Sequence, residues 1–301
     1  MGKKYILWRN IDNWLKIHNL YHSNIAKRSF AKILRINVQS IISLNVRNQC
    51  VNIFTSHYIY KFQLYGDNIK KDLKNRKLFS VYGQSSLVSP IKVYKRIPLA
   101  IMMPILNQPI KNEKAACHIL NRLKEAGHKA VFQMEDYPLI MNGLNILDDC
   151  DSGRRISKKL RKYLQKQKGV MVRVGIVHGD FHRNNIMCKG STPVLIDFDC
   201  SRDNDIQAID ALYYILEEVR HMHGYKKPWL DEWLLIYENI NIMYRYRCSQ
   251  QIDMDLRFGL IILLLERISQ EQQFDFRFIE INKNSVKKVS RKLINEKYMR
   301  V

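Results

Sequence analysis

A short segment in the middle of the chain restricts its fold and its chemistry more than any other feature. Residues 177–199 read VHGDFHRNNIMCKGSTPVLIDFD, and the apolar runs 172–177 and 194–196 have the composition of β-strands. The loop between these runs carries Asp180 and, five positions later, Asn185. The pattern therefore predicts a strand–loop–strand unit whose loop presents a carboxylate and an amide together.

A further carboxylate, Asp197, follows the second predicted strand. Phosphoryl transfer requires a carboxylate that orients and deprotonates the attacking hydroxyl, and oxygen ligands that hold Mg²⁺ against the phosphates. Asp180 is the candidate for the first role, and Asn185 and Asp197 are the candidate metal ligands because hard cations prefer oxygen. An isolated Asp in a loop is usually a turn or cap residue. Several functional residue types at fixed spacing between two predicted strands favour the catalytic interpretation.

Two stretches of this segment match a known signature. Residues 178–186 read HGDFHRNNI, and residues 196–199 read IDFD. They resemble the H-G-D-x-H-x-x-N-[IL] and I-D-[FW]-[DE] motifs of the aminoglycoside phosphotransferase and choline kinase family, a branch of the protein-kinase-like fold. Gly179 stands where protein kinases have Arg, which favours the branch that acts on small molecules. The resemblance implies ATP and Mg²⁺ as cofactors.

The resemblance also implies roles for four supporting residues. His178 is expected to pack and hydrogen-bond so that it holds the catalytic loop, and the role of His182 is left open. Asp199 either touches a second metal ion or fixes the loop. Asp210 matches the family's Asp that supports the catalytic loop from a following helix.

The pattern along the chain predicts an α+β, two-lobed protein-kinase-like fold with a small β-rich N-terminal lobe and a larger helical C-terminal lobe. The first lobe covers residues 1–103 and the second covers 104–301. Within the first lobe, residues 1–48 form a basic helical extension and residues 49–103 form the nucleotide-binding sheet. The predicted elements are helices at 11–20, 24–36, 68–81 and 115–126, a hairpin at 51–64, strands at 91–94 and 99–103, and helical structure after Asn204.

The nucleotide side of the site is assigned from Lys61 in the run YIYKF. It resembles the strand Lys that pairs with the ATP phosphates, and strand alternation lets it face Asp197, with Asp72 as its expected carboxylate partner. The alternative is an exposed hairpin lysine, in which case Lys92 or Lys95 takes the role.

Two neighbouring features complete this side of the site. Residues 101–106 are expected to form the hinge beside adenine, with Met103 on a face of the ring. The helix at 68–81 departs from the family pattern, since it has no Glu and Asn75 stands where the Glu is expected.

The net charge of +22 favours anionic partners or reflects a solvated basic surface. Residues 152–179 hold nine Lys or Arg and no acid. An anionic or membrane-presented acceptor and peripheral contact with an anionic membrane surface are therefore expected partners, and nucleic acid is less favoured. The seven acids within 197–218 could still form a local pocket for a cation.

The leading interpretation is an ATP- and Mg²⁺-dependent phosphotransferase that acts on a hydroxyl of a sugar, an amino alcohol or a glycolipid headgroup. A catalytically weak, nucleotide-binding regulator and a protein kinase are the alternatives. The sequence contains no apolar run of about 18 residues and no secretory signal pattern. Its six cysteines are scattered, which fits reduced thiols. A cytoplasmic protein, peripheral at the membrane face, is expected.

Overall fold

The computed structural model of the chain describes residues 24–47, 50–63, 67–94, 99–149, 151–222, 224, 246–274 and 288. In chain order its helices and strands are α1 (Asn24–Leu34), β1 (Ile41–Arg47), β2 (Cys50–Thr55), β3 (Tyr58–Gln63), α2 (Asn68–Val81), β4 (Lys92–Tyr94), β5 (Ala100–Pro104), α3 (Asn112–Ala126), β6 (His128–Val131), α4 (Pro138–Asp148), α5 (Asp151–Lys166), β7 (Met171–Val177), β8 (Ile186–Lys189), β9 (Thr192–Leu195), β10 (Arg202–Ile206), α6 (Ala208–Met222) and α7 (Leu256–Phe274).

The described residues divide into two compact units. Unit 1 comprises the residues up to Val81 together with 85–108 and 187–200, and unit 2 comprises 82–84, 109–186 and the residues from 201 onward. The sequence assigned 187–200 to the C-terminal lobe, whereas the contacts place this segment with the N-terminal sheet. The reason is local pairing: the Ser89 amide donates to the Leu195 carbonyl, and the Cys188 amide donates to the Asn107 carbonyl.

Unit 1 is built on an antiparallel sheet in the strand order β1-β2-β3-β5-β4. One face of this sheet packs against α1, and Phe30, Leu44, Val51 and Phe62 are buried there. Because side chains alternate along a strand, the residues between them point to the opposite face. That face carries Lys61, and the predicted hairpin at 51–64 and helix at 68–81 are confirmed.

The first strand of this sheet corrects the predicted extent of the helical extension. Residues 41–47, assigned to the extension ending at 48, form β1 and pair with β2. The register shifts between Ile41 and Ser43, so both Ile41 and Leu44 reach the buried core. This spacing of three resembles helical periodicity, which explains the wrong assignment. Helix α1 confirms the prediction at 24–36, while the predicted helix at 11–20 lies outside the described residues.

Unit 2 packs helices around a small antiparallel sheet in the order β10-β7-β6. Strand β7 confirms the predicted run 172–177. It ends directly before residues 178–185, which are called the catalytic loop after the role predicted for Asp180. Residues 202–206 form β10, whereas the sequence predicted no strand beyond 196. Its register shifts between Arg202 and Asp205, and Asn204 has a positive φ of 53°, so no regular alternation marks this strand.

Helices α4 and α7 approach each other closely at Gly143. A Cβ atom built on Gly143 would lie 2.2 Å from the carbonyl oxygen of Leu265, which is backbone and cannot move aside as a flexible side chain would. Around this contact Leu144, Ile261 and Leu265 are fully buried. None of the described helices is long and apolar enough to cross a bilayer.

Gly143→Ala is expected to destabilise the protein. At a solvent-exposed helix position, replacing Gly with Ala would stabilise the protein by up to about 1 kcal/mol through helix propensity. Here overpacking against a backbone atom destabilises it by about 1–3 kcal/mol or more. The free energy of unfolding, measured by urea denaturation followed by circular dichroism, should fall. Gln165→Ala, on the exposed side of α5, is the control and should change it little. A Gly143→Ala protein as stable as the parent would show that the two helices are not in this close contact.

Candidate active site

A cavity of about 240 Å³ opens on the face of the unit 1 sheet opposite its core. Ile101 and Met103 of β5 form apolar walls, while Lys61 of β3 and Asp197, which follows β9, supply charge. The cavity thus combines an apolar surface that suits a flat ring with a charged end that suits phosphate and metal. Met103, expected beside adenine, lines this cavity.

Lys61 faces the charged end of the cavity. Its Nζ lies 3.4 Å from Asp197 Oδ1 and 3.4 Å from Asp199 Oδ2, and its side chain is 12% exposed. Burial alone would lower the pKa of Lys61, but the two carboxylates raise it above its ordinary value, so the amine stays charged. Asp72 was the expected ion-pair partner; Asp197 and Asp199 make the contacts instead.

The alternative lysines are not needed for this role. Lys92 is exposed, and its Nζ lies 5.7 Å from the centre of the Tyr94 ring. Lys95 lies outside the described residues.

Asp72, Asp197 and Asp199 form a carboxylate cluster in which one oxygen of each lies within 4.8 Å of the others. Asp197 has a φ of +59°, a left-handed conformation that is uncommon outside glycine and that fixes the direction of its side chain. The side chain of Asp197 is 47% exposed, whereas that of Asp199 is 18% exposed. Burial, together with the charges of Asp197 and Asp72, raises the pKa of Asp199 to about 6 against the opposing effect of Lys61.

This cluster fits a divalent cation. Asp199 Oδ1 is buried and accepts no hydrogen bond from the residues that the structure describes, so it is an oxygen acceptor without a donor. A buried oxygen of this kind is costly unless it binds something, and oxygen is the ligand type that Mg²⁺ prefers. Both oxygens of Asp72 are already used by protein donors, so Asp197 and Asp199 are the two candidate ligands in unit 1.

Helix α2 holds the backbone of the carboxylate cluster through Phe198. The Phe198 amide donates to Asp72 Oδ1 at 2.9 Å, and the Asn75 Nδ2 donates to the Phe198 carbonyl at 2.7 Å. Arg76 closes the arrangement: it pairs with Asp72 at 2.8 Å, and its guanidinium lies 4.5 Å from the centre of the Phe198 ring. Asn75, which replaces the expected Glu, therefore fixes the loop between Asp197 and Asp199 from a buried position.

The catalytic loop of unit 2 is held in a similar way by Asp210 at the start of α6. Its two carboxylate oxygens accept the backbone amides of His178 at 2.7 Å and Gly179 at 2.9 Å. The Ser201 hydroxyl donates to the His178 carbonyl at 3.0 Å. Gly179 has a positive φ of 78°, which glycine adopts without strain. Burial raises the pKa of Asp210 despite these hydrogen bonds.

Asp180 lies directly after this anchored turn, and its carboxylate is surrounded by donors. His182 Nε2 is 3.4 Å from Asp180 Oδ2, and Arg267 of α7 is 3.7 Å from Asp180 Oδ1. Burial would raise the pKa of Asp180, but the hydrogen bond from His182 and the charge of Arg267 hold it well below its ordinary value. Asp180 is therefore ionised at neutral pH, as a proton acceptor must be.

Asn185 is buried next to Asp180 and its amide has a defined direction. Its Nδ2 donates to the Asp180 carbonyl at 2.9 Å and to Asp180 Oδ2 at 3.1 Å. Its Oδ1 points away from these acceptors and is the atom that would ligate a cation. Asn185 belongs to unit 2 and Asp197 to unit 1, so a metal ion shared by the two remains a prediction.

Sequence reasoning missed Arg76, Arg267 and the anchoring roles of Asp72 and Asn75. A signal existed for α2, because positions 72, 75 and 76 lie on one helix face and are polar where a buried face would be apolar. Arg267 gave no such signal, because it lies in an apolar helix far from the motif.

Comparisons with known proteins agree with this geometry. Residues 118–210 match the model of the phosphotransferase enzyme family, so the family resemblance is confirmed over this part of the chain. A comparison with curated protein sequences finds no match.

Among solved structures, choline kinase LicA from Streptococcus pneumoniae superimposes with a TM-score of 0.52 and 15% identity over 89% of this chain and 97% of that chain. A complex of LicA with AMP superimposes with a TM-score of 0.52 and 14% identity, over 89% of this chain and 96% of that chain. An aminoglycoside phosphotransferase, APH(4)-Ia, in complex with ADP and hygromycin B superimposes with a TM-score of 0.50 and 9% identity, over 89% of this chain and 97% of that chain. These similarities confirm the predicted α+β, protein-kinase-like fold class.

Asn75→Ala is expected to weaken binding of the Mg²⁺–nucleotide complex about tenfold, as losses of residues that orient metal ligands do. The reason is that the Phe198 carbonyl loses its donor and the backbone between Asp197 and Asp199 is no longer fixed. Titration with a fluorescent ATP analogue in the presence of Mg²⁺ measures the effect. Lys74→Ala, one position away and exposed, is the control. Unchanged nucleotide affinity in the Asn75 variant would remove its positioning role.

Proposed function

We propose that this protein is a phosphotransferase that moves the γ-phosphate of ATP, with Mg²⁺, to a hydroxyl group of a small molecule. The ion pairs from Lys61 to Asp197 and Asp199 carry the proposal. They bring a lysine cation and a cluster of carboxylates to the charged end of the unit 1 cavity. The match of residues 118–210 to a phosphotransferase family supports the same reaction class.

Each residue has a role that follows from its contacts. Lys61 is charged and would bind the α- and β-phosphates, while Ile101 and Met103 would pack against the adenine ring. Asp197 and Asp199 of unit 1 would supply oxygen ligands to Mg²⁺. Asn185 keeps its predicted role as an amide-oxygen ligand on the loop that also carries Asp180. When bound, Mg²⁺ supplies neutralisation of the phosphate charge.

Asp180 would act on the acceptor. Its ionised carboxylate can accept a hydrogen bond from a hydroxyl and take its proton as the oxygen attacks the γ-phosphorus. His182 and Arg267 hold this carboxylate in its ionised form and fix its orientation. Asp210 fixes the backbone before Asp180, so it is a positioning residue.

The acids near the catalytic loop favour a neutral or anionic acceptor over a polycation. Three of the five acids of the sequence cluster at 197–218 that lie in unit 2 are paired with an arginine: Glu218 with Arg183, Glu217 with Arg220, and Asp205 with Arg202. Within the described part of unit 2, the acidic cluster that the sequence suggested as a cation pocket is therefore largely neutralised. A sugar or a glycolipid headgroup fits these charges better than an aminoglycoside does.

A panel of hydroxyl compounds tests the proposal. ADP formation from Mg²⁺–ATP should rise with at least one of the sugars, lipopolysaccharide fragments, amino alcohols or aminoglycosides offered. Nucleotide binding without turnover on any of them would favour the weak, regulatory kinase-like protein. Phosphorylation of protein substrates alone would favour a protein kinase.

Asp180→Asn should lower kcat by about 100-fold or more while leaving the affinity for Mg²⁺–ATP nearly unchanged, because this carboxylate acts on the acceptor. Asp197→Asn should instead weaken Mg²⁺-dependent nucleotide binding by about tenfold or more, since it removes a metal ligand. Steady-state ADP formation and nucleotide titration separate the two effects. Equal loss of nucleotide binding in both variants would mean that the assigned roles are incorrect.

The acidic limb of the pH profile of kcat should shift towards neutral pH when Arg267 is replaced by an uncharged residue. Asp180 works only when ionised, so kcat falls as the pH drops through its pKa, and Arg267 holds that pKa low. Arg267→Gln should therefore raise the pKa and shift the acidic limb towards neutral pH. Arg122→Gln, at a partly exposed arginine of α3, is the control and should leave the profile unchanged. An unchanged acidic limb in the Arg267 variant would contradict this electrostatic role.

A further inference from the structure

We propose that the exposed face of α5 binds this protein to a bilayer surface that contains anionic lipid. The inference does not depend on the proposed reaction, since α5 contributes no residue to the catalytic loop or to the cavity.

Helix α5 has two chemically distinct faces. Ile156, Leu160 and Leu164 are buried against the rest of unit 2, and Ser157 on the same side donates to the Leu144 carbonyl of α4. The opposite face, here called the basic face, is exposed and carries one charge sign only. It consists of Arg155, Lys158, Lys159, Lys162 and Lys166, continued by the exposed Lys168 after the helix.

The cations of the basic face are not balanced by acids among the residues that the structure describes. None of its six cations forms an ion pair there, whereas Arg161, on the side of the helix, pairs with Asp148 at 2.8 Å. The sequence from 152 to 179 contains no acid that could pair with them. Six like charges along one helix and the turn after it repel one another, so an external anionic surface would relieve this repulsion.

The geometry of the basic face suits a planar partner. Positions 155, 158, 159, 162 and 166 recur at spacings of three and four, so their side chains form one row along the helix. At about 1.5 Å per residue, the helix presents this row over about 17 Å, from position 155 to position 166. A row of this length can contact several lipid headgroups at once.

An exposed apolar pair lies next to the end of this row. Val131 of β6 and Met171 of β7 are cross-strand partners, so their side chains share a face, and each is about half exposed, at 48% and 49%. The turn that carries Lys168 connects α5 to β7. The Gly169 amide donates to the Phe132 carbonyl, which ties that turn to the end of β6.

The apolar pair favours a membrane over a nucleic acid. Aliphatic side chains beside a row of cations can enter the boundary between headgroups and acyl chains. Nucleic-acid surfaces add aromatic platforms for bases or hydrogen-bonding side chains for base edges. The exposed positions of α5 consist of lysines and arginines with Gln165, so they provide charge attraction with little means of base recognition.

Co-sedimentation of the full chain with vesicles tests the inference. The protein should bind phosphatidylcholine vesicles that contain about 30% phosphatidylglycerol in about 0.1 M salt, and binding should fall in about 0.5 M salt. Pure phosphatidylcholine vesicles should bind little. The triple variant Lys158→Glu, Lys162→Glu, Lys166→Glu should lose at least about tenfold in partition coefficient.

A matched control separates this face from the net charge of the whole protein. Lys71→Glu, Lys74→Glu, Lys77→Glu makes the same charge change on exposed positions of α2 and should retain most of the binding. Val131→Ser with Met171→Ser should weaken binding several-fold and leave a complex that is more sensitive to salt. Circular dichroism and thermal unfolding confirm that every variant is folded.

Three outcomes would overturn the inference. If the two triple variants lose vesicle binding equally, the binding depends on the net charge of the protein and not on the basic face. If the protein does not bind anionic vesicles, the membrane is not its partner. Tighter binding to a single- or double-stranded oligonucleotide than to anionic vesicles, lost in the α5 variant, would assign the basic face to nucleic acid. ADP formation without vesicles is measured in parallel, so that failure of the proposed reaction is recorded separately.

Discussion

A buried carboxylate that accepts backbone amides is the interaction on which both functional loops depend. Asp72 binds the Phe198 amide in unit 1, and Asp210 binds the amides of His178 and Gly179 in unit 2. The loops need this support because the residues they present are short and charged. Packing alone does not orient the carboxylates of Asp197 and Asp180, so the backbone beside each must be held by hydrogen bonds.

Electrostatic compensation then decides the state of each charged group. Burial lowers the pKa of Lys61, but Asp197 and Asp199 raise it by more, so the amine stays protonated. Burial raises the pKa of Asp180, but His182 and Arg267 lower it by more, so the carboxylate stays ionised. Both results suit the proposed phosphoryl transfer, which requires a permanent cation at the phosphates and an ionised acceptor for the hydroxyl proton. The buried oxygen of Asp199 that accepts no hydrogen bond from the described residues is the part of this system that a metal ion would complete.

The large positive charge is divided between two environments. Arginines near the catalytic loop pair with acids, as Arg183 does with Glu218, and therefore shape the site without leaving net charge there. The lysines of the basic face lie on the solvent side of α5, and no described acid compensates them. Charge at the catalytic loop thus serves orientation, while charge on α5 is available to a partner outside the molecule.

The sequence by itself determined the catalytic motif, the fold class and most elements, because these depend on neighbours within a few positions. The spacing of Asp180, Asn185 and Asp197 could be interpreted as a single motif, because one loop and the hairpin that follows it carry all three residues. The tertiary structure alone decided contacts between distant segments: Asn75 with Phe198, Arg267 with Asp180, and the thiols of Cys117 and Cys248, which are 3.0 Å apart although 131 positions separate them. Residue periodicity records which face of an element is buried but not which element covers it, and a bulge such as that in β1 conceals even the periodicity.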